Sequence, residues 1–259
     1  MIHTEKLRAV LRGRTVRFAC ASSAFALLVM LCGLVANRLM PSNTDLPVLS
    51  GETERYTFVI DAGHGGEDGG AVAADGTEEK NLNLAISNAL HALLTLNGQS
   101  TVATRQTDTL LYDYFHDRED YTGQKKMYDL RNRLRITERE ENAVYVGIHM
   151  NKFTDPQYSG LQVYYSKNSE KSSALAGTVQ MYVRNSLQSN NDRAIKPAGQ
   201  GIYILSEAKV PAILIECGFL SNPAECAALR TESYQRQLTA TIFYALSTFE
   251  MAEAERLRQ

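Results

Sequence analysis

Residues 56–62 read YTFVIDA, residues 63–70 read GHGGEDGG, and residues 81–96 read NLNLAISNALHALLTL. An apolar run, a glycine-rich loop and a stretch with apolar residues at helical spacing make a strand, a loop and a helix. Further β-rich runs follow at STVATR (100–105), AVYVGIHM (143–150), GLQVYYS (160–166) and AILIECG (212–218). Helical patterns near 127–141, 170–188 and 223–257 separate them. Such alternation predicts an α/β fold with a mainly parallel sheet covered on both faces by helices. YTFVI, AVYVGI and AILI are near-continuous apolar runs, as central strands require. No internal repeat or low-complexity tract interrupts the body, so residues 56–250 read as one domain, with 251–259 as a helical tail. The connection QTDTLLYDYFHDREDYTGQKK (106–126) is long for such a domain, and its Tyr112, Tyr114, Phe115 and Tyr121 are candidates to line a groove.

The chain has 259 residues, 44% of them apolar and 22% charged, enough to bury a core and too apolar for disorder. Its charge is unevenly placed. The first 40 residues hold Lys6, Arg8, Arg12, Arg14, Arg17 and Arg38 against Glu5 alone, so the remaining 21 basic and 28 acidic residues leave the body at −7. A body of that charge with no basic run excludes a nucleic-acid groove. Phe18 to Ala36 is uncharged over nineteen residues, long enough as a helix to span a bilayer. Basic residues concentrated before it place residues 1–17 in the cytoplasm and the body outside. The expected architecture is a transmembrane anchor over 18–36 or, in the competing reading, a cleaved signal peptide. Residues 37–55, polar with two prolines, form a linker. Four cysteines are too few for a disulfide scaffold, and only Cys217 and Cys226 belong to the body.

In an open α/β sheet the ligand crevice lies beyond the carboxyl ends of the strands. There the sequence places His64, His149 and Glu216, with Glu78 and Glu79 where the first helix begins. Two imidazoles and one carboxylate make a catalytic zinc set with a fourth position left for water. Each residue also has an ordinary reading: a hydrogen-bonded histidine at a strand end, or a first-turn acid favoured by the helix dipole. Convergence of two histidines on one edge favours metal. GHGGEDGG fits neither nucleotide-binding glycine pattern. Glu216 closes an apolar run, where a carboxylate is costly to bury unless it is paired or working. Cys217 cannot face the crevice alongside Glu216, because side chains alternate along a strand.

VIDAGHGGEDGGA, EEKNLNLAI, TRQTD, LRNRLRITEREENAVYVGIHMN and VPAILIECGFLSNPAE occur in that order. Through them the body, over about residues 56–250, resembles the zinc-dependent N-acetylmuramoyl-L-alanine amidases of the bacterial cell wall. The resemblance implies an α/β fold with a twisted sheet, one zinc ion held by His64, Glu79 and His149, and Glu216 as the catalytic acid/base. It selects Glu79 over Glu78 because the family's ligand directly precedes a lysine, here Lys80. The stretch Asp117–Leu130, the ECGFLSNPAE motif and an anchor without wall-binding repeats resemble the sporulation and germination-specific subgroup. That likeness implies a role in spore cortex on the way to muramic-δ-lactam, in the intermembrane space of the forespore. Its implied partners are peptidoglycan glycan strands with stem peptides, a sporulation-specific activator protein and, functionally, a muramic acid deacetylase. Alanine in DAGHGG and methionine in IHMN depart from many relatives without touching a ligand.

Zinc held by three protein ligands lowers the pKa of its water to about 7 and polarises the amide carbonyl, while a carboxylate moves the proton to the leaving amine. Glu216 is the candidate for that carrier. Asn151, Arg131 and the tyrosine-rich loop are candidates for holding the lactyl-alanyl amide and its sugar. Two rival readings remain open from sequence: a catalytically silent wall-binding protein of the same fold, and a zinc peptidase acting on stem peptides.

Overall fold

The computed structural model describes residues 55–258. The candidate membrane span at 18–36 and its flanking segments lie outside that range. Among the described residues no helix is long and apolar enough to cross a membrane.

The strands are β1 (Thr57–Ala62), β2 (Ser100–Ala103), β3 (Ala143–Asn151), β4 (Gln162–Tyr165), β5 (Lys196–Pro197) and β6 (Ala212–Phe219). The helices are α1 (Glu79–Leu96), α2 (Lys125–Glu138), α3 (Glu170–Ser186), α4 (Tyr203–Glu207), α5 (Pro223–Leu229) and α6 (Glu232–Arg256). One six-stranded sheet runs in the order β2-β1-β3-β6-β4-β5. All neighbours are parallel except β6 and β4. The sheet is therefore mixed. The reversal of β4 follows from its connection: residues 152–161 contain no helix, and a parallel return needs a crossover of a dozen or more residues.

One face of the sheet carries Phe58, Ile60, Val146, Ile148, Ile213 and Ile215 against Ile86, Leu90 and Leu94 of α1, Leu175 and Val179 of α3, and Ile242 and Leu246 of α6. These side chains are 0% exposed, and each apolar side chain so buried contributes about 1.5–3 kcal/mol. This face supplies most of the fold's stability. The opposite face packs Tyr145 and Leu214 against Leu134 of α2 and Ile204 and Leu205 of α4. It is the more polar side, and the site opens there.

The helical pattern near 223–257 is two helices. Thr231 stands between them in an extended conformation, and its side chain accepts a hydrogen bond from the Tyr234 N–H, so it caps α6 and ends α5. Two short elements, α4 and β5, had no signal in the sequence. β5 exists only because Lys196 and Pro197 pair with Tyr164 and Tyr165.

Candidate metal centre and active site

β1 ends at Ala62 and hands the chain to a loop in which His64 has φ 62°, followed by Gly65 at 137° and Gly66 at 54°. A left-handed histidine is unfavourable by itself, and such backbone persists where surrounding contacts over-determine it. Here they do. Arg105 donates to the carbonyls of Ala62, Gly63 and Lys80, and Lys80 Nζ donates to Gly66 O at 2.7 Å and to Asp108 at 2.9 Å. Asp108 in turn accepts from the Gly66 N–H. Thus the stretches VIDAGHGG, EEK and TRQTD meet in one hydrogen-bonded cradle. Gly63 and Gly70 are required by close approach: a Cβ on Gly63 would lie 2.2 Å from the His149 ring, and one on Gly70 would lie 2.6 Å from Glu79 Oε2.

Glu79, the first residue of α1, is buried between the two imidazoles. Its Oε2 lies 3.3 Å from His64 Nε2 and its Oε1 lies 3.0 Å from His149 Nδ1. The backbone N–H groups of Ala71 and Met150 donate to the same carboxylate and fix its orientation. The far nitrogen of His64, Nδ1, meets Asp68 at 3.0 Å, the carboxylate–imidazole contact that orients a metal-ligating histidine. Burial works against the Glu79 charge, but hydrogen bonds to His149 and His64 and their charge outweigh it, holding the carboxyl well below the ordinary range. Burial likewise opposes the His64 proton and is outweighed by Glu79 and Asp68, so its pKa lies above the ordinary histidine value. One ligand atom from each of His64, Glu79 and His149 lies within 4.8 Å of the others. This donor set and its spacing fit a divalent metal with nitrogen and oxygen ligands.

Glu216 sits on β6 directly opposite His149 of β3 in the strand register, so both side chains leave the same face of the sheet. Its Oε2 is buried with no hydrogen-bond partner among the described residues. Burial pushes the carboxyl up to about 7, His149 and His64 offsetting part of that and the Glu79 charge adding to it. Cys217, one residue on, points into the opposite core, its thiol pKa pushed far up by burial. It has no access to the crevice.

Sequence reasoning missed Asp61, Asp129 and Arg133, which form the floor of the site. The Arg133 side chain is 1% exposed, paired with Asp61 at 2.7 Å and Asp129 at 2.8 Å. It also donates to the carbonyls of Ala62 and His64. Asp61 further accepts from the Tyr145 hydroxyl at 2.6 Å. The one available signal was the pattern LRNRLR, in which Arg133 shares the buried face of α2 with Asp129, Asn132 and Ile136. Replacing Arg133 by Met leaves two buried carboxylates unpaired, a change that costs about 3–5 kcal/mol. Urea unfolding of the purified protein should register that loss as a lower midpoint with an unchanged slope, and a shift below 1 kcal/mol would deny the network its role.

Of the remaining candidates, Asn151 lines a groove of about 310 Å³ that includes Gln162 and Tyr164. A smaller cleft of about 50 Å³ is lined by His64, His149, Asp68 and Arg133. Arg131 is exposed, with its guanidinium 5.5 Å from the centre of the Tyr128 ring, and lines neither. Nor do the loop aromatics. Tyr121 packs edge-on against Tyr112 and Tyr128, Tyr114 packs against Phe115, and Phe115 lies under Arg135 and Arg139. These contacts hold the long loop onto α2, so its aromatic content is packing of the loop itself.

Residues 58–248 match the family of N-acetylmuramoyl-L-alanine amidases. The germination-specific N-acetylmuramoyl-L-alanine amidase of Bacillus subtilis (strain 168) is 32% identical over 187 residues, 71% of this chain and 75% of that protein. Among solved structures, the CwlD amidase from Clostridioides difficile in complex with the GerS lipoprotein aligns with a TM-score of 0.70 at 36% identity, covering 76% of this chain and 98% of that one. The amidase AmiC2 of Nostoc punctiforme aligns with a TM-score of 0.63 at 27% identity, covering 76% and 97%.

Proposed function

The chain belongs to the N-acetylmuramoyl-L-alanine amidases, which hydrolyse the amide joining muramic acid to L-alanine in peptidoglycan, and from that premise we propose that it works with one zinc ion on the wall of the developing spore. The observation that carries the metal assignment is the shared carboxylate: Glu79 lies between His64 Nε2 and His149 Nδ1, with Asp68 behind His64. Zinc in that set supplies Lewis acidity, polarising an amide carbonyl and lowering the pKa of water. Glu216 does the proton work. Its carboxyl, held near 7, can accept a proton from the attacking water and return it to the alanine nitrogen as the C–N bond breaks. Arg133, paired with Asp61, keeps the His64 loop in place by donating to the His64 and Ala62 carbonyls. The His64–Glu79–His149 ligand set and, among the described residues, the buried, unpartnered Glu216 oxygen speak for a working hydrolase over a silent wall-binding protein.

The spore assignment rests on likeness to the germination-specific relative and to CwlD. In this reading residues 18–36 anchor the enzyme, residues 37–55 tether it, and the domain acts in the forespore intermembrane space, where a deacetylase completes the route to muramic-δ-lactam. The CwlD amidase was solved with a lipoprotein bound, which supports control by a sporulation-specific activator here as well. Deleting the gene should leave vegetative growth and division near normal and yield spores whose cortex lacks muramic-δ-lactam. Muropeptide profiling of those spores is the test; normal lactam content would end the spore assignment and leave the amidase chemistry intact.

A further inference from the structure

On the face of the sheet that carries Glu216, the groove lined by Asn151, Gln162, Tyr164 and Tyr158 also contains two cations, Arg193 and Lys196. Neither cation has a carboxylate within ion-pair distance or a side-chain hydrogen bond among the described residues, and Arg193 Nε is buried with no acceptor. A guanidinium that lines a groove with no carboxylate beside it is set to receive an anionic group there. Arg193 is not a loose surface side chain. Its guanidinium carbon lies 4.6 Å from the centre of the Phe219 ring. Its backbone is pinned as well: the Arg193 N–H donates to Asn191 Oδ1, and Arg184 donates to the carbonyls of Asn191 and Arg193. Gln162 Nε2 holds the next carbonyl, that of Ala194. The fork is presented on a hydrogen-bonded backbone, with its donors unused among the described residues.

The groove begins beside the chemistry. Gln162 is the register partner of Glu216 across β4 and β6, and Asn151 follows His149 by two residues on β3. A substrate whose scissile amide lies at Glu216 therefore extends one of its arms along Asn151 and Gln162 toward Arg193 and Lys196. The glycan arm of the muramoyl-alanine bond is uncharged, whereas the peptide arm carries carboxylates. We propose that this groove binds the peptide arm, with Arg193 and Lys196 holding the free carboxylate of the acidic residue that follows alanine. The proposal rests on the amidase reading and adds the feature of the substrate that the enzyme selects.

The test compares two muropeptides that differ in one group: N-acetylmuramoyl-L-alanyl-D-isoglutamate, and its carboxamide N-acetylmuramoyl-L-alanyl-D-isoglutamine. The full-length protein in detergent should show a kcat/KM about 10- to 100-fold higher for the carboxylate, the range expected of a charge-assisted hydrogen-bonded pair. Arg193→Met keeps the packing on Phe219 and removes the charge, and it should collapse that ratio toward one through the KM of the carboxylate substrate. Lys196→Met should lower it less, and Arg193→Lys should restore part of it. Equal cleavage of both substrates by the unmodified protein would overturn the carboxylate site and leave the amidase standing. So would an Arg193→Met protein that loses rate on both substrates in equal proportion, which is the mark of packing alone. Cleavage of neither would remove the amidase reading together with the site built on it.

Discussion

Glu216→Gln should lose at least about a hundredfold in turnover while keeping its fold and its metal, because general acid/base groups contribute about 10²- to 10⁴-fold. Gln has the shape of Glu without the ability to take a proton. The position tolerates it: Oε2 of Glu216 makes no hydrogen bond among the described residues, and burial already favours an uncharged group there. Thermal unfolding of the variant should therefore match or exceed the unmodified protein, separating a chemical loss from a structural one. Release of the alanine amino group from purified wall fragments measures the rate. Cys217→Ser should leave that rate nearly unchanged, since the thiol lies in the core on the other side of the sheet. A glutamine variant that stayed active, beside a serine variant that did not, would refute the assignment of the proton carrier.

His64→Ala and His149→Ala should each reduce the metal content of the purified protein from one zinc ion to near none and abolish cleavage. A three-ligand set that loses one imidazole retains only a carboxylate and a single nitrogen. Elemental analysis reads the metal directly, and a chelator applied to the unmodified protein should stop cleavage reversibly, with activity returning on addition of zinc. Mass spectrometry of the digested wall reads the bond: amidase action leaves intact glycan strands and peptides with a free alanine amino group, whereas a stem-peptide peptidase leaves alanine on muramic acid. Full zinc occupancy in both variants would dismiss the site.

The alternation of apolar runs with helical patterns determined the fold class, because strands buried on both faces must be apolar throughout and helices packed on a sheet must carry an apolar stripe. Strands β1, β3 and β6 match YTFVIDA, AVYVGIHM and AILIECG to within one or two residues at each end. The same rule brought His64, His149 and Glu216 to one edge, since a residue at the carboxyl end of a parallel strand is committed to that edge by strand direction alone. Local pattern cannot report what depends on a distant partner. The reversal of β4, the two-residue β5 and the short α4 exist through pairing and packing with residues far along the chain. Arg133 beneath the loop and Arg193 against Phe219 are likewise products of tertiary approach. In the sequence they are ordinary charged residues, and the meaning of a charge depends on what surrounds it. Arg131 and Arg133 lie two residues apart on α2: one is exposed over Tyr128 and the other is buried between two aspartates. Two residues along a helix turn the side chain by about 200°, so the two arginines leave opposite faces, and only the packing of that helix against the sheet decides which one supports the site.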